Sequence, residues 1–189
     1  MPEQLKELRE AYPEARVEPW AEDEMRLGLK PVIRRVWAPK GKRPVAKVKR
    51  RYEWLYLYAF VSPKSGEVHW LILPKVNVEV FSLALSHFAQ EVGASKEKRI
   101  LLVLDQAGWH TGKEVEVPEG IHLEFLPSHS PELQPTERLW PLSNEAVANR
   151  LFESLDELEE VLVERCLALC EQAETIRSHT NYHWWPDAA

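Results

Sequence analysis

Asp105 is the first residue of this sequence that invites a chemical reading. It follows directly on Ile-Leu-Leu-Val-Leu at 100–104, a continuous apolar run of strand length. Such runs suit an interior, often parallel strand covered on both faces. Ligands of helix-covered sheets bind at the carboxyl ends of strands, so an acid there meets solvent while bordering a low-dielectric core. The bland alternative for Asp105 is a helix cap or turn residue. Five positions on stands His110, able to orient a phosphate or a bound water, or simply to cap a turn. After the next apolar run comes Leu-Pro-Ser-His-Ser-Pro-Glu-Leu-Gln-Pro-Thr-Glu-Arg-Leu-Trp at 126–140, which carries two further carboxylates.

Charge supplies a second signal. The net charge is −6, yet Lys30 to Arg51 holds ten basic residues and no acidic one, which leaves −16 on the rest, much of it between Glu153 and Glu174. A polyanion such as a nucleic acid backbone would meet the basic stretch, with an attraction that depends strongly on salt. A solvated loop surface is the alternative. Cys166 and Cys170 lie four apart in a helical pattern, a poor geometry for a disulfide, and no further ligands accompany them at zinc-site spacing. The N-terminus, Met-Pro-Glu-Gln-Leu-Lys-Glu-Leu, lacks the apolar core of a signal peptide, and no run approaches the length of a membrane span. A cytoplasmic protein with no membrane partner is expected.

The elements that must position these groups can be read from periodicity and turn chemistry. Residues 3–11 form a short amphipathic helix. Strands are expected at 17–23, 32–37, 52–61 and 67–73, the last two joined through Ser-Pro-Lys-Ser-Gly. Pro19 is awkward in any central strand. Asn77 caps a helix to about Glu91, and strands follow at 100–104 and 121–126. Pro135 opens a helix that runs to about Phe152 and bends at Pro141. Ser154, with Glu157 three residues on, caps a last helix to about Ser178. Antiparallel strands first, then strand and helix in alternation, describe a mixed sheet flanked by helices. With 44 % apolar residues and eight Trp the chain can bury a substantial core. The expected organisation is a helical lead-in over 1–16, a catalytic domain over 17–152, and an acidic helix with a Trp-containing tail over 153–189, packed on the domain or on a partner.

The ordered segments resemble the IS630 family within the Tc1/mariner superfamily of DDE transposases. Asp105-Gln-Ala-Gly-Trp-His110 is similar to the family's Asp-Asn-Ala-x-x-His segment. Ser130-Pro-Glu-Leu-Gln-Pro-Thr-Glu137-Arg-Leu-Trp140 is similar to its Ser-Pro-Glu-Leu-Asn-Pro-x-Glu-x-x-Trp segment. Asp23-Glu24 ahead of Trp37-Ala-Pro-Lys-Gly41 matches the family's first acidic pair and the segment after it. Gln106 and Gln134 stand where the family has Asn, each keeping an amide, and His129 stands where Tyr is common. The resemblance spans roughly 17–165 and implies an α/β, ribonuclease-H-like fold with a five-stranded mixed sheet between helices.

The resemblance further implies three catalytic, metal-binding carboxylates: Asp23, Asp105 and Glu137. Glu24 is the alternative first carboxylate, because adjacent strand residues face opposite sides and periodicity cannot choose between them. Hard oxygen donors suit Mg²⁺ or Mn²⁺, two ions being expected with DNA bound. The implied reaction is DNA cleavage and strand transfer at insertion-sequence ends, with no serine or tyrosine nucleophile required. The alternatives are a metal-dependent nuclease of the same fold and an inactive, transposase-derived DNA-binding or oligomerisation module. Candidate DNA contacts are Lys40, Lys42, Arg43, Lys47, Lys49, Arg50, Arg51, His110 and Arg138. Trp140 is expected to pack beside Glu137, while Trp37 and Trp109 would anchor loops or stack on unpaired bases. The implied partners are double-stranded DNA at transposon ends and in the target, a second copy of the chain, and a helix-turn-helix recognition region, separately encoded or absent here. The implied setting is a prokaryotic nucleoid.

Overall fold

In the computed structural model, residues 2–42, 44–45 and 51–186 are described. Arg43, Lys47, Lys49 and Arg50, among the expected DNA contacts, lie outside the described residues. The chain builds helix α1 (Pro2–Ala11), strands β1 (Arg16–Gly28), β2 (Trp54–Ser62) and β3 (Glu67–Leu73), helix α2 (Val78–Glu91), strands β4 (Lys98–Leu104) and β5 (Ile121–Phe125), and helices α3 (Trp140–Asn144), α4 (Leu155–Cys170) and α5 (Ala173–Thr180). The five strands form one sheet in the order β3-β2-β1-β4-β5. This is an α/β fold with a mixed sheet flanked by helices, of ribonuclease-H-like architecture.

β1 is the central strand, and its alternating side chains divide the core into two layers. Even-numbered Trp20 joins Tyr58, Phe60, Leu102 and Leu104 beneath α2, which contributes Phe81, Leu85 and Phe88. Phe60 stacks on Phe88 at 4.3 Å, and Trp20 meets the same ring edge-on at 5.1 Å. Odd-numbered Ala21 and Leu27 join Leu57, Val61 and Val103 on the opposite face, covered by Leu162 and Leu169 of α4, Ile176 of α5 and Trp185. The acidic C-terminal helices are therefore part of the main core. Asn77 caps α2 by accepting from the Val80 amide at 2.8 Å, and Ser154 caps α4 by accepting from the Glu157 amide at 3.2 Å.

Pro19 is accommodated by the pairing pattern. β2 pairs with β1 only from Ala21 to Gly28, while β4 pairs from Arg16 to Ala21. One flank of Pro19 thus has no partner strand, and edge positions tolerate a residue without an N–H.

Three expected elements differ. Val32–Trp37 is not a strand: Ile33, Val36 and Trp37 are exposed, and the segment is tied instead to Asn149, which accepts from the Arg34 amide at 3.0 Å. Asn149 also returns its backbone amide to the Val32 carbonyl at 2.8 Å. The helix expected from Pro135 to Phe152 is broken into a 3₁₀ turn at Pro135–Arg138 and the turn and a half of α3, after a separate 3₁₀ turn at Pro131–Leu133. Pro141 has no N–H to donate to the Glu137 carbonyl one turn back, so the first turn does not propagate into a continuous α-helix. The last helix stops at Cys170 and restarts at Ala173, because Gln172 takes a non-helical conformation.

That restart brings α5 against the β2–β3 turn. Gly66 has φ +77°, its amide donates to the Ser62 carbonyl at 2.8 Å, and a Cβ there would collide with the Ala173 backbone carbonyl. Gly93 also has positive φ, at +67°, but a Cβ would meet nothing within 4 Å. Both Gly→Ala changes incur the left-handed backbone cost of about 1 kcal/mol, and only Gly66→Ala adds a backbone clash. Chemical denaturation should therefore show Gly66→Ala less stable than Gly93→Ala by at least about 1 kcal/mol. Equal losses would mean that α5 does not dock as described.

Candidate active site

Sheet register brings two of the expected carboxylates together. Ala21 on β1 is paired with Val103 on parallel β4, the last such pair. Two residues farther along each strand stand Asp23 and Asp105, level with one another where the ladder ends. Neighbouring strands run about 4.8 Å apart, so these side chains meet as soon as both point to the same face. Asp23 shares that face with Ala21, and Asp105 lies just past the strand end. Both line a cavity of about 310 Å³, with Glu137 on its wall together with Gln106, Ser128 and His129. Glu24 is not among the lining residues. Strand alternation carries it, with Glu22, to the α2 side of the sheet.

Two amides hold the cavity walls. Gln106 donates to the Leu126 carbonyl at 2.9 Å and accepts from the Ser128 hydroxyl at 3.0 Å, fastening the loop after β5 beside Asp105. Gln134 is buried and donates to the backbone carbonyl of Glu22 at 2.8 Å. On the other side of Glu137, the Trp140 indole N–H donates to Asp23 Oδ2 at 3.2 Å. The 3₁₀ turn bearing Glu137 is thereby fixed to β1 at both ends. Trp140 supports Asp23 through a hydrogen bond, a role that one-turn spacing from Glu137 does not suggest. His129 enters the cavity wall with φ +59°, a left-handed conformation uncommon outside glycine.

The three carboxylates have different electrostatic settings. Burial, followed by the proximity of Glu137 and Glu24, raises Asp23 to a pKa of about 7. Glu137 is exposed and is raised by partial desolvation and by Asp105. Asp105 is lowered, chiefly by its hydrogen bond from His110 and secondarily by the Ala107 amide. Both bonds fall on Oδ1, at 2.8 Å and 2.9 Å, which leaves Oδ2 for another ligand. Oxygen donors around one cavity, with Glu137 raising Asp23 and Asp105 raising Glu137, fit a hard divalent cation, whose charge would relieve that repulsion.

Behind this cavity lies a second ionisable cluster, of which sequence reading singled out only parts. His110 is buried, so it does not present itself to DNA as the sequence reading allows. Its Nδ1 faces Asp105 Oδ1 at 2.8 Å, and its Nε2 faces Glu24 Oε1 at 3.1 Å and Glu22 Oε2 at 3.5 Å. Trp109 donates its indole N–H to both Glu24 oxygens, at 3.1 and 3.2 Å. Burial would lower His110, but the bonds with Asp105 and Glu24 and the charge of Glu22 outweigh it, giving a pKa of about 11. Glu22 is fully buried, and neither of its carboxylate oxygens has a hydrogen-bond partner. The 3.5 Å approach to His110 is an ion-pair distance with the ring N–H aimed at Glu24 instead. Desolvation first, and Glu24 second, raise Glu22 well above the usual carboxylate range. Ligand atoms of Glu22, Glu24 and His110 lie within 4.8 Å of one another, a donor set that a metal ion could use.

Of the remaining expected DNA contacts, Lys40 and Lys42 are exposed. Arg138 is exposed and donates to the Tyr182 hydroxyl at 2.8 Å. Arg51 pairs with Glu53 at 2.7 Å and borders a concave patch with Arg26, Lys30, Tyr52 and Trp54. Arg26 lies over the Trp54 ring at 5.3 Å, and Tyr52 and Trp37 are exposed. Among the described residues no helix is long and apolar enough to cross a membrane.

Known proteins place this geometry in a family. The model of the DDE superfamily endonuclease family matches residues 19–159, which include all three cavity carboxylates. An uncharacterized protein, y4pE/y4sA of Sinorhizobium fredii (strain NBRC 101917 / NGR234), is 36 % identical over 108 residues, covering 56 % of this chain and 77 % of that protein. The crystal structure of the Mos1 mariner paired end complex with Mn matches 97 % of this chain at a TM-score of 0.57 and 18 % identity. The Mos1 strand transfer complex matches the same share at 0.56 and 17 %. These likenesses show a shared fold, and the chain spans about 60 % of the solved Mos1 chains it matches. The chain belongs to the DDE superfamily endonuclease family.

Proposed function

We propose that this chain is the catalytic unit of an IS630-type transposase, cleaving DNA at insertion-sequence ends and transferring the freed 3'-ends into a target. The observation that carries this reading is the convergence of Asp23, Asp105 and Glu137 on one cavity at the end of the β1–β4 ladder. Residues 17–152 would form the catalytic unit, with 153–189 packed upon it. Asp23 and Asp105 would be the central ligands, and Glu137 would complete a second site. Mg²⁺ or Mn²⁺ bound there would supply Lewis-acid activation of a water or 3'-hydroxyl and charge stabilisation at the leaving oxygen.

The protein's own contribution is positional. Asp105 presents Oδ2 with Oδ1 already engaged, and Asp23 is oriented by the Trp140 indole bonded to its Oδ2. Glu137 is exposed on a turn whose two ends are fastened, so it can adjust its side chain while its backbone stays in place. Ordering of this kind lowers the cost of aligning an attacking oxygen with phosphorus. The DNA backbone would run from the cavity toward the patch of Arg26, Lys30 and Arg51, where Tyr52 and Trp54 offer faces to bases. Mos1 was solved as paired-end complexes, which supports action as a dimer on two DNA ends.

Asp105→Asn and Glu137→Gln should each reduce Mn²⁺-dependent nicking of supercoiled plasmid by about 100-fold or more, with unchanged far-ultraviolet circular dichroism. Undiminished nicking by Asp105→Asn would sink the metal-carboxylate reading. Incubation with a labelled 3'-hydroxyl end then separates a transposase, which joins the label to plasmid, from a nuclease, which does not.

Asp23 gives a pH prediction. Its pKa is raised to about 7 in the fold, above its unfolded value. The protonated form is therefore the stabilised one, and the contribution is fully present below the unfolded pKa of about 4 and lost as pH rises through about 7. Metal-free protein should weaken between about pH 4 and 7 by this route, while Mn²⁺ binding tightens as pH rises through about 7. Asp23→Asn removes the buried charge and keeps an acceptor for Trp140. It should raise metal-free stability at pH 8 by on the order of 1–2 kcal/mol in urea unfolding while weakening Mn²⁺ binding. Destabilisation instead would mean that Asp23 is held ionised in the apo protein.

A further inference from the structure

His110 and Glu24 lie on the side of the sheet away from the cavity, yet they reach its edge. The His110 side chain has no exposed surface and that of Glu24 is 3 % exposed, so neither can touch DNA. The imidazole packs 4.5 Å from the Phe81 ring of α2. Its two ring nitrogens face carboxylates on opposite sides, Asp105 Oδ1 at 2.8 Å and Glu24 Oε1 at 3.1 Å. Glu24 is fixed in turn by the Trp109 indole, which bonds both of its oxygens, and by its place on the central strand opposite Tyr58 of β2.

The chain of contacts has a direction. Glu24 belongs to a strand paired on β2, and Asp105 belongs to the first residues beyond a strand end, where the ladder no longer constrains it. Without the imidazole, the Asp105 side chain, about half exposed, would be held only by the Ala107 amide on Oδ1. A ring wedged between β1 and Asp105 adds a second bond to Oδ1 and ties it to the central strand. Strand alternation makes the device possible, since Asp23 and Glu24 are adjacent and must face opposite sides. One enters the cavity, and the next anchors the support of its neighbour carboxylate from behind.

We propose that Glu24 and His110 are positioning residues, a buried carboxylate–imidazole strut that clamps Oδ1 of Asp105 so that Oδ2 faces the metal cavity. This rests on Asp105 being a metal ligand. Both ring nitrogens donate, one to each carboxylate, and Glu22 is a bystander of the strut. A metal ion held by Glu22, Glu24 and His110 is the competing use of the same atoms, because it would replace the Nε2 proton.

The test is Mn²⁺ affinity and stoichiometry, measured from the free-Mn²⁺ electron paramagnetic resonance signal on the purified chain, with thermal melting as the control for folding. Glu24→Gln and His110→Asn should each weaken Mn²⁺ binding roughly ten-fold or more, the usual effect of removing a ligand's orienting partner. The double variant should be no weaker than the worse single, because a strut broken twice is still one broken strut. Glu22→Gln should leave affinity and stoichiometry unchanged. Wild-type affinity in folded Glu24→Gln and His110→Asn overturns the strut, as does full additivity of the two. A lowered stoichiometry in Glu22→Gln overturns it in favour of the buried metal site.

If His110→Asn does not fold, ¹⁵N–¹H spectra of the wild-type histidine rings decide the matter. Two hydrogen-bonded ring N–H protons on His110 support the strut, and a bare nitrogen refutes it. The reading of Asp105 as a ligand fails separately. Asp105→Asn would then bind Mn²⁺ as wild type does, whereas failure of the strut alone leaves Asp105→Asn impaired and the strut variants intact.

Discussion

The site depends on a change of neighbours along β1. Up to Ala21 this strand is held by parallel β4, and from Ala21 onward by antiparallel β2. The crossover opens the sheet immediately beyond the Ala21–Val103 pair, at the point where Asp23 and Asp105 stand level. A fully paired sheet would leave no concavity at this point, and a pair of acids there would have no solvent to face. The opening lets two carboxylates from distant parts of the chain converge without burying both completely. Everything else around the cavity secures that arrangement: two glutamine amides on the walls, one indole on Asp23 and one imidazole on Asp105.

Such a site opposes the stability of its own fold. Glu137 raises the proton affinity of Asp23, Asp105 raises that of Glu137, and Glu24 raises that of Glu22 on the other face. Like charges gathered at the end of a sheet are tolerated because the two layers beneath them are well packed. The Phe60–Phe88–Trp20 aromatic group lies under α2, and α4, α5 and Trp185 cover the opposite face. Burial of several large side chains, each contributing on the order of 2 kcal/mol, is what lets the acids remain. The C-terminal helices serve the chemistry in this indirect way, by closing the face from which Asp23 projects.

Legibility in the sequence followed locality. Asp105 could be placed because a five-residue apolar run announces the strand that ends before it, and the α2 and α4 caps because Asn77 and Ser154 precede helical periodicity. β1 was visible only in part: its second half alternates charged with apolar residues and reads as surface until β2 is known to pair with it. Val32–Trp37 has strand composition, but no neighbour lies there to pair with it among the described residues, and composition alone cannot supply one. The segment after Pro135 carries helical spacing, yet Pro141 removes a donor that spacing needs. Periodicity also could not choose between Asp23 and Glu24. It states that they oppose one another, and only the third dimension says which side holds the cavity. Trp140 to Asp23 and Gln134 to Glu22 join residues more than a hundred positions apart, so no local pattern encodes them.

The same separation explains why adjacent acids in one strand can do different work. On β1 the sequence Glu-Asp-Glu gives three carboxylates in three positions, and the pleat sends the middle one to one layer and its neighbours to the other. Each face then sets the acid's chemistry. On the cavity side, Asp23 meets an opening with polar walls and oxygen neighbours, so a cation is its natural partner. On the α2 side, Glu24 meets an imidazole and an indole inside a hydrophobic layer, so hydrogen bonds satisfy it. Glu22 has only the 3.5 Å approach to His110 and no hydrogen bond, and burial raises it well above the usual carboxylate range. A single strand thus places one acid at the cavity, one against an imidazole and an indole, and one in the core without a hydrogen bond. Which acid takes which role is decided by the layer it faces and not by its own chemistry.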